Sequence, residues 1–333
     1  MAYIKLGNSD LEVSEISFGA WAIGGWMWGG TDEAAALRAL EAAIDMGITS
    51  IDTAAVYGFG LSEEIVGKAI QGKRDKVQIM TKYGLRWDDT RGEFYFATKR
   101  NDGAPANIHI YAGKESIIRE CEDSLRRLNT DYIDLYQQHW PDGTTPVEES
   151  MEALGQLIKQ GKVRVAGGSN YSAEDMARAQ TVVPQASNQV AYSMVKRGIE
   201  DEIVPYCIEH NIGIVVYSPM QRGILSGKIK PGHTFKPGDS RPDTPYYKKE
   251  NIKRINDFLD NIKPVADGKG ISLAQLVIRW TLQRPGISTV LVGIRNEEQL
   301  KENAVAMEFA LSQEEMDTIN KQLDELEILM DLS

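Results

Sequence analysis

Short β-rich runs alternate with helical patterns eight times between residues 16 and 306, and this repeat constrains the fold more than any other feature. Strands are expected at Ile16–Phe18, Thr49–Ile51, Val77–Met80, Tyr132–Tyr136, Val163–Ala166, Ala186–Gln189, Gly213–Tyr217 and Ser288–Val292. Between them the period lengthens to that of a helix, and helix-start residues stand where they are needed. Thr31 is the expected N-cap of the first helix, and Thr145-Pro146-Val147-Glu148 predicts a capping box with proline at the first helical position. Ser172 with Asp175, and Ser312 with Glu315, predict two further capped starts.

Strand–helix alternation implies parallel pairing through right-handed crossovers. Eight units over roughly 290 residues suit a closed barrel, because an open doubly wound sheet usually has fewer strands. The expected fold class is therefore α/β, a (β/α)8 TIM barrel. It carries an N-terminal hairpin around Gly7-Asn8-Ser9-Asp10 and an extra C-terminal helix after Ser312. No Gly/Ser-rich linker interrupts the chain, so one domain is expected over 1–333. Two stretches stand out as long loops, 83–113 and 219–250. The first contains Phe94, Tyr95, Phe96, Lys99 and Arg100 and is expected to act as a lid or substrate selector.

The charge balance, 37 Lys+Arg against 48 Asp+Glu, gives −11 and argues against nucleic acid or an anionic membrane as partner. No apolar run approaches the ~18–20 residues of a membrane span, and the first residues lack the pattern of a secretory signal. Cys121 and Cys207 are the only cysteines and fall in separate helical patterns away from any cluster with metal-ligand spacing. They read as buried thiols of a cytoplasmic protein with no metal site.

In such a barrel the site lies at the C-terminal ends of the strands. Gly19, Asp52, Lys82, His139, Ser169 with Asn170, Gln189, Tyr217 and Gly293 fall there from the eight strands in turn, and Tyr57 lies five residues beyond Asp52. A tyrosine hydroxyl ordinarily titrates near 10, so a nearby Lys82 ammonium is expected to lower it, with Asp52 holding that lysine charged. His139 suits orientation of a substrate oxygen beside the tyrosine proton. The amides of Asn170 and Gln189 suit a carboxamide and Tyr217 suits a flat ring, a pair of demands that nicotinamide combines. Trp21, Trp28, Trp87 and Trp140 are expected around a small carbonyl or alcohol substrate, together with Tyr57 and His139.

These residues sit in motifs that resemble the aldo-keto reductase family. They are Asp52-Thr53-Ala54-Ala55-Val56-Tyr57-Gly58, Thr81-Lys82, the run Asp131–Pro141, Gly168-Ser169-Asn170-Tyr171, Tyr217-Ser218-Pro219 and Gly293-Ile294-Arg295. The likeness is nearest to the bacterial branch with inositol-associated and general-stress reductases. It implies a catalytic tetrad of Asp52, Tyr57, Lys82 and His139, and NADPH/NADP+ bound across the barrel mouth. Gly19, Trp21, Asp52, Ser169, Asn170, Gln189 and Tyr217 would surround the nicotinamide. By the same resemblance Ser218, Pro219, Arg222, Gly223, Ser226 and Lys228 would line the pyrophosphate. Gly293, Arg295, Gln299 and Asn303 would face the adenosine end and its 2′-phosphate.

The implied activity is reduction of an aldehyde or ketone to the alcohol, sugar- or inosose-derived carbonyls among the candidates. Two alternatives compete. One is an aldolase-like lyase with a Schiff base on Lys82; the other is a redox-sensing partner subunit with little turnover. The doublet Gly167-Gly168 departs from the pattern and predicts a looser fifth loop. The sequence leaves the oligomeric state open.

Overall fold

The computed structural model describes residues 3–331. Eight parallel strands close into a barrel: Ile16–Gly19, Ser50–Asp52, Gln78–Tyr83, Ile133–Gln138, Val163–Ser169, Gln185–Ala191, Gly213–Tyr217 and Ile287–Gly293. The last strand pairs with the first, Gly293 opposite Gly19. The residues fixed at that rim by register are then Asp52 beside Gly19, Gln189 beside Ser169, and Tyr217 beside Ala191.

The expected hairpin is present as Tyr3–Lys5 paired with Glu12–Ser14. Its Leu6, Leu11 and Val13 pack on Met80, Leu135, Ala186, Val215 and Leu291, side chains of the barrel strands, and plug the barrel's lower end. This leaves the upper end as the open one. Gly7 makes the turn at φ 55, and a Cβ there would stand 2.4 Å from Ala186 O, so only glycine fits.

Helices cover the barrel, and their packed faces form the main core with Trp280 fully buried. The capping boxes at Ser172/Asp175 and Ser312/Glu315 are both formed. Two other expected starts differ. Asp32 rather than Thr31 caps the first helix, its carboxylate accepting from Ala35 N at 3.0 Å. The fourth helix starts from Pro146 with no side-chain cap, so the box predicted at Thr145 does not form. The extra C-terminal helix is Gln313–Asp324, and a second helix, Lys249–Lys269, also stands outside the repeat.

The third loop is not irregular. It folds into a three-stranded antiparallel sheet of Leu85–Arg86, Pro105–Ile110 and Glu93–Lys99, in that order. Stretch 219–250 contains three short 3₁₀ turns, and one of its residues, Asp239, bridges to Trp28 of the first loop. The Gly167-Gly168 doublet does not loosen the fifth loop. A Cβ on Gly168 would stand 2.6 Å from the Tyr171 ring, which occupies the space a larger residue would need. Tyr171 is itself buried, with its hydroxyl donating to Gln138 Oε1 at 2.7 Å. Both cysteines are free and buried. Among the described residues no helix is long and apolar enough to cross a membrane, and no cluster of His, Cys, Asp or Glu has metal-site geometry.

Candidate active site

At the open end lies a cleft of about 670 Å³, and nearly all the expected residues line it. At its floor Asp52 and Lys82 form a buried pair, Nζ to Oδ1 at 2.7 Å. Lys82 Nζ also donates to Thr53 O at 2.9 Å and to the Tyr57 hydroxyl at 3.4 Å. Three acceptors around Nζ match the three donors of an ammonium. The second Asp52 oxygen accepts from Gln189 Nε2 at 2.7 Å. Burial pushes the Asp52 carboxyl up and the Lys82 ammonium down from their ordinary values, and the pairing opposes both shifts.

Tyr57 is held by a close backbone contact. A Cβ on Gly58, at φ 65, would stand 2.3 Å from Gly24 O, so this glycine lets the first and second loops touch beside Tyr57. The sequence expectation for this hydroxyl is overturned. Burial, then the Asp52 charge, push its pKa well above the usual tyrosine value. Lys82 stands closer to Asp52, at 2.7 Å, than to the Tyr57 hydroxyl, at 3.4 Å. Tyr57 is thus a fully protonated phenol at neutral pH.

The His139 ring sits 5.7 Å from the Tyr57 ring, edge-on. Burial and then the Lys82 charge push its pKa well below the ordinary histidine value, so it is a neutral imidazole with one N–H to donate. Asn170, at φ 59, donates to His139 O at 3.1 Å and accepts from the Tyr217 hydroxyl at 2.9 Å. Its amide is therefore already engaged at both ends. Ser169 Oγ donates to Gln189 O at 2.9 Å, whereas Gln189 Oε1 accepts from no described residue.

The far end of the cleft is cationic. Arg222, Lys228, Arg241 and Arg295 all line it. The guanidinium carbons of Arg222 and Arg241 each lie 5.3 Å from the Trp28 ring, and that of Arg295 lies 6.0 Å away. Lys228 pairs with Glu302 at 2.9 Å and Arg241 with Asp239 at 2.6 Å, whereas Arg222 and Arg295 make no ion pair among the described residues. Burial, and for Arg295 the neighbouring Arg241, disfavour the charge on these two guanidinia. Trp21 Nε1, Trp28 Nε1 and Arg222 Nε are buried donors with no acceptor among the described residues. Unmet donors beside unpaired cations are the environment that phosphate oxygens satisfy. Pyrophosphate and 2′-phosphate groups thus fit the residues present.

The backbone supports the same location. Met27, Asn170, Ser218 and Arg222 adopt positive φ without being glycine, and all four line the cleft. Strained residues of this kind concentrate at functional sites.

Some expected residues fall elsewhere or differ in detail. Lys82 lies beneath the cleft wall, reached through Asp52 and Tyr57. Trp87 does not line the cleft; it packs edge-on against Phe59 at 5.6 Å. Trp28 lines the cleft with arginines over its ring and packs edge-on against Trp21 at 5.3 Å, which in turn lies 6.1 Å from the Tyr57 ring. Gln299 lines the cleft, and its Oε1 accepts from Arg295 N at 3.0 Å. Gly19, Trp21, Trp140, Pro219, Gly223, Ser226, Gly293 and Asn303 line it as expected. Sequence reasoning missed Met27, Ser240, Arg241 and Thr244, whereas Tyr95 and Phe96 belong to the loop expected to act as a lid or substrate selector. The one legible signal for Arg241 was its acidic neighbour two residues earlier, Asp239, to which it donates through Nε and Nη2.

Comparison with known proteins agrees with this geometry. The model of the aldo/keto reductase family matches residues 15–324. The glycerol dehydrogenase of Gluconobacter oxydans superimposes with a TM-score of 0.87 at 36% identity, over 98% of this chain and 97% of that one. An aldo-keto reductase of Klebsiella pneumoniae solved in complex with NADPH gives a TM-score of 0.71 at 30% identity, over 96% of this chain and 95% of the other. The NADH-specific methylglyoxal reductase of Escherichia coli strain K12 is 32% identical over 333 residues, 98% of this chain and 100% of its own length. A closed barrel with a carboxylate, lysine, tyrosine and histidine at its mouth, matched along nearly its whole length, places this chain in the aldo/keto reductase family.

Proposed function

We propose that the protein reduces an aldehyde or ketone to the alcohol with NADPH, and that Tyr57 is the proton donor. The observation that carries this reading is the buried Asp52–Lys82 pair ending on the Tyr57 hydroxyl, at one end of a cleft whose other end gathers four cations.

When bound, the reduced nicotinamide supplies a hydride to the carbonyl carbon. Gln189 Oε1 is free to accept an N–H from its carboxamide, while Gln189 Nε2 remains on Asp52. Arg222 and the two tryptophan N–H groups would hold the pyrophosphate oxygens, and Arg295 would hold the 2′-phosphate. Neutral His139 donates to the carbonyl oxygen and holds it beside the Tyr57 hydroxyl. Tyr57 gives its proton as negative charge develops on that oxygen, and the Lys82 ammonium stabilises the phenolate left behind. Asp52 keeps Lys82 in place and charged.

The Schiff-base alternative loses support. Lys82 has a fully buried side chain and spends its donors on three acceptors, whereas an imine-forming lysine needs a free neutral amine. We place the whole chain, 1–333, in one catalytic domain, and the two free buried thiols favour a cytoplasmic setting. Residues 1, 2, 332 and 333 lie outside the described structure.

The test is an absorbance assay of NADPH and NADH oxidation over a panel of aldehydes and ketones, with borohydride trapping run in parallel. Oxidation that depends on the carbonyl compound supports the reading. Silence with every substrate, or substrate trapped covalently on Lys82, sinks it.

A further inference from the structure

Regular strand geometry sends neighbouring side chains to opposite faces. Tyr95 and Phe96 depart from that rule, because both line the cleft. The pairing of their strand shows how. Phe94 stands opposite His109 and Phe96 opposite Ile108, so two steps on one strand meet a single step on the other. Tyr95 is the extra residue of a β-bulge, a device that re-aims side chains next to active sites.

The result is a continuous aromatic wall. The Tyr95 ring lies 5.7 Å from Trp140 and 5.0 Å from Phe96, and Phe96 stacks on Trp26 at 6.1 Å with planes 5° apart. Trp26 Nε1 donates to Thr98 Oγ1 at 3.1 Å, which ties the sheet to the first loop. Tyr57 and His139 share the cleft with this wall.

The wall brings no charge. The cations of the cleft come from stretch 219–250 and from Arg295, while the sheet contributes only Leu85, Tyr95 and Phe96 to the lining. Lys99 and Arg100 of the same loop do not line it; the Arg100 guanidinium lies 5.6 Å from the Phe59 ring instead. A carboxylate placed on this wall would lose hydration without gaining a cationic partner from the sheet. The hydroxyls of a sugar would meet ring faces there. An aromatic or alkyl group would bury apolar surface against rings.

We propose that the bulge makes Tyr95 a specificity-determining residue, and that the substrate is an uncharged aldehyde or ketone bearing an aromatic or alkyl group. This rests on the reductase reading above and goes further by naming the substrate class.

The experiment compares kcat/KM for benzaldehyde, para-carboxybenzaldehyde, D-glyceraldehyde and D-xylose at saturating NADPH, in the wild type and in Tyr95→Ala and Tyr95→Phe. Wild-type preference for benzaldehyde over each of the other three is expected to be about tenfold or more, the lower end for one apolar group in a matching pocket. Tyr95→Ala is expected to lower the benzaldehyde-to-glyceraldehyde ratio roughly 2- to 10-fold, the range of an aromatic contact, chiefly through KM. Tyr95→Phe is expected to keep the ratio, since the ring and not the hydroxyl makes the wall. Tyr95 is 40% exposed, so neither variant removes core packing. Equal or better use of the carboxylated or polyhydroxylated compounds would overturn the proposal, as would a Tyr95→Ala loss identical for all substrates. If every carbonyl compound is silent with both cofactors, the reductase reading itself falls, and that outcome differs from a reversed preference.

Discussion

Lys82 donates to Asp52 Oδ1 at 2.7 Å but reaches the Tyr57 hydroxyl only at 3.4 Å. The lysine is thus anchored to the carboxylate and approaches the phenol at longer range. Burial, then the Asp52 charge, keeps Tyr57 protonated before reaction, and Lys82 leaves a cation within reach when charge appears on its oxygen.

The anchoring has a stability consequence. Asp52→Asn leaves the Lys82 ammonium buried without its counter-charge, an event that typically costs ~3–5 kcal/mol. Denaturant unfolding should show a loss of that size, and the double variant Asp52→Asn with Lys82→Met should lose less than the sum of the single changes. Strict additivity would mean that the two side chains do not depend on one another.

His139 sets a pH dependence. Its folded pKa lies well below the unfolded value of about 6.5, so below that pH the unfolded chain binds a proton that the folded protein refuses. The contribution to stability is complete above about 6.5 and falls with pH by up to ~1.4 kcal/mol per unit through this one group. Comparing unfolding at pH 7 with about 5.5, His139→Gln should narrow the wild-type difference by roughly 1 kcal/mol. An unchanged difference would show that the ring is not held neutral.

Arg295 carries the choice of cofactor. A charge-assisted contact to the 2′-phosphate is worth ~1.5–3 kcal/mol, so Arg295→Ala should weaken NADPH binding about 10- to 100-fold. NADH lacks that phosphate and should change by less than about threefold, within the spread of an indirect effect. Fluorescence titration of both cofactors decides this. Equal weakening would move Arg295 away from the 2′-phosphate. The NADH-specific relative from Escherichia coli shows that the family accommodates either cofactor.

Much of the architecture was legible because each barrel unit announces itself locally. Ser172 with Asp175 and Ser312 with Glu315 form the boxes their spacing predicts. The strand ends placed Asp52, His139, Ser169, Gln189 and Tyr217 on one rim, and they share one cleft. The failures share a cause, dependence on distant partners. Phe94-Tyr95-Phe96 shows no alternation because a bulge interrupts it, so the sheet over the third loop reads as a loop. Trp87 packs on Phe59, whose φ of 59 no sequence period reveals. The Tyr57 pKa is set first by burial and then by the Asp52 charge, neither of which residue order encodes.

The central claim is that the Tyr57 proton completes the reduction, and single-turnover oxidation of bound NADPH tests it most directly. Mixing enzyme–NADPH with benzaldehyde in a stopped-flow instrument isolates the chemical step from product release. A placed proton donor contributes ~10²–10⁴ in rate, so Tyr57→Phe should slow that step by at least about a hundredfold. NADPH affinity should stay within about twofold, because the ring remains and no bond to the cofactor is assigned to its hydroxyl. A Tyr57→Phe enzyme that oxidises NADPH within about threefold of the wild-type rate would contradict the account and assign the proton to another group.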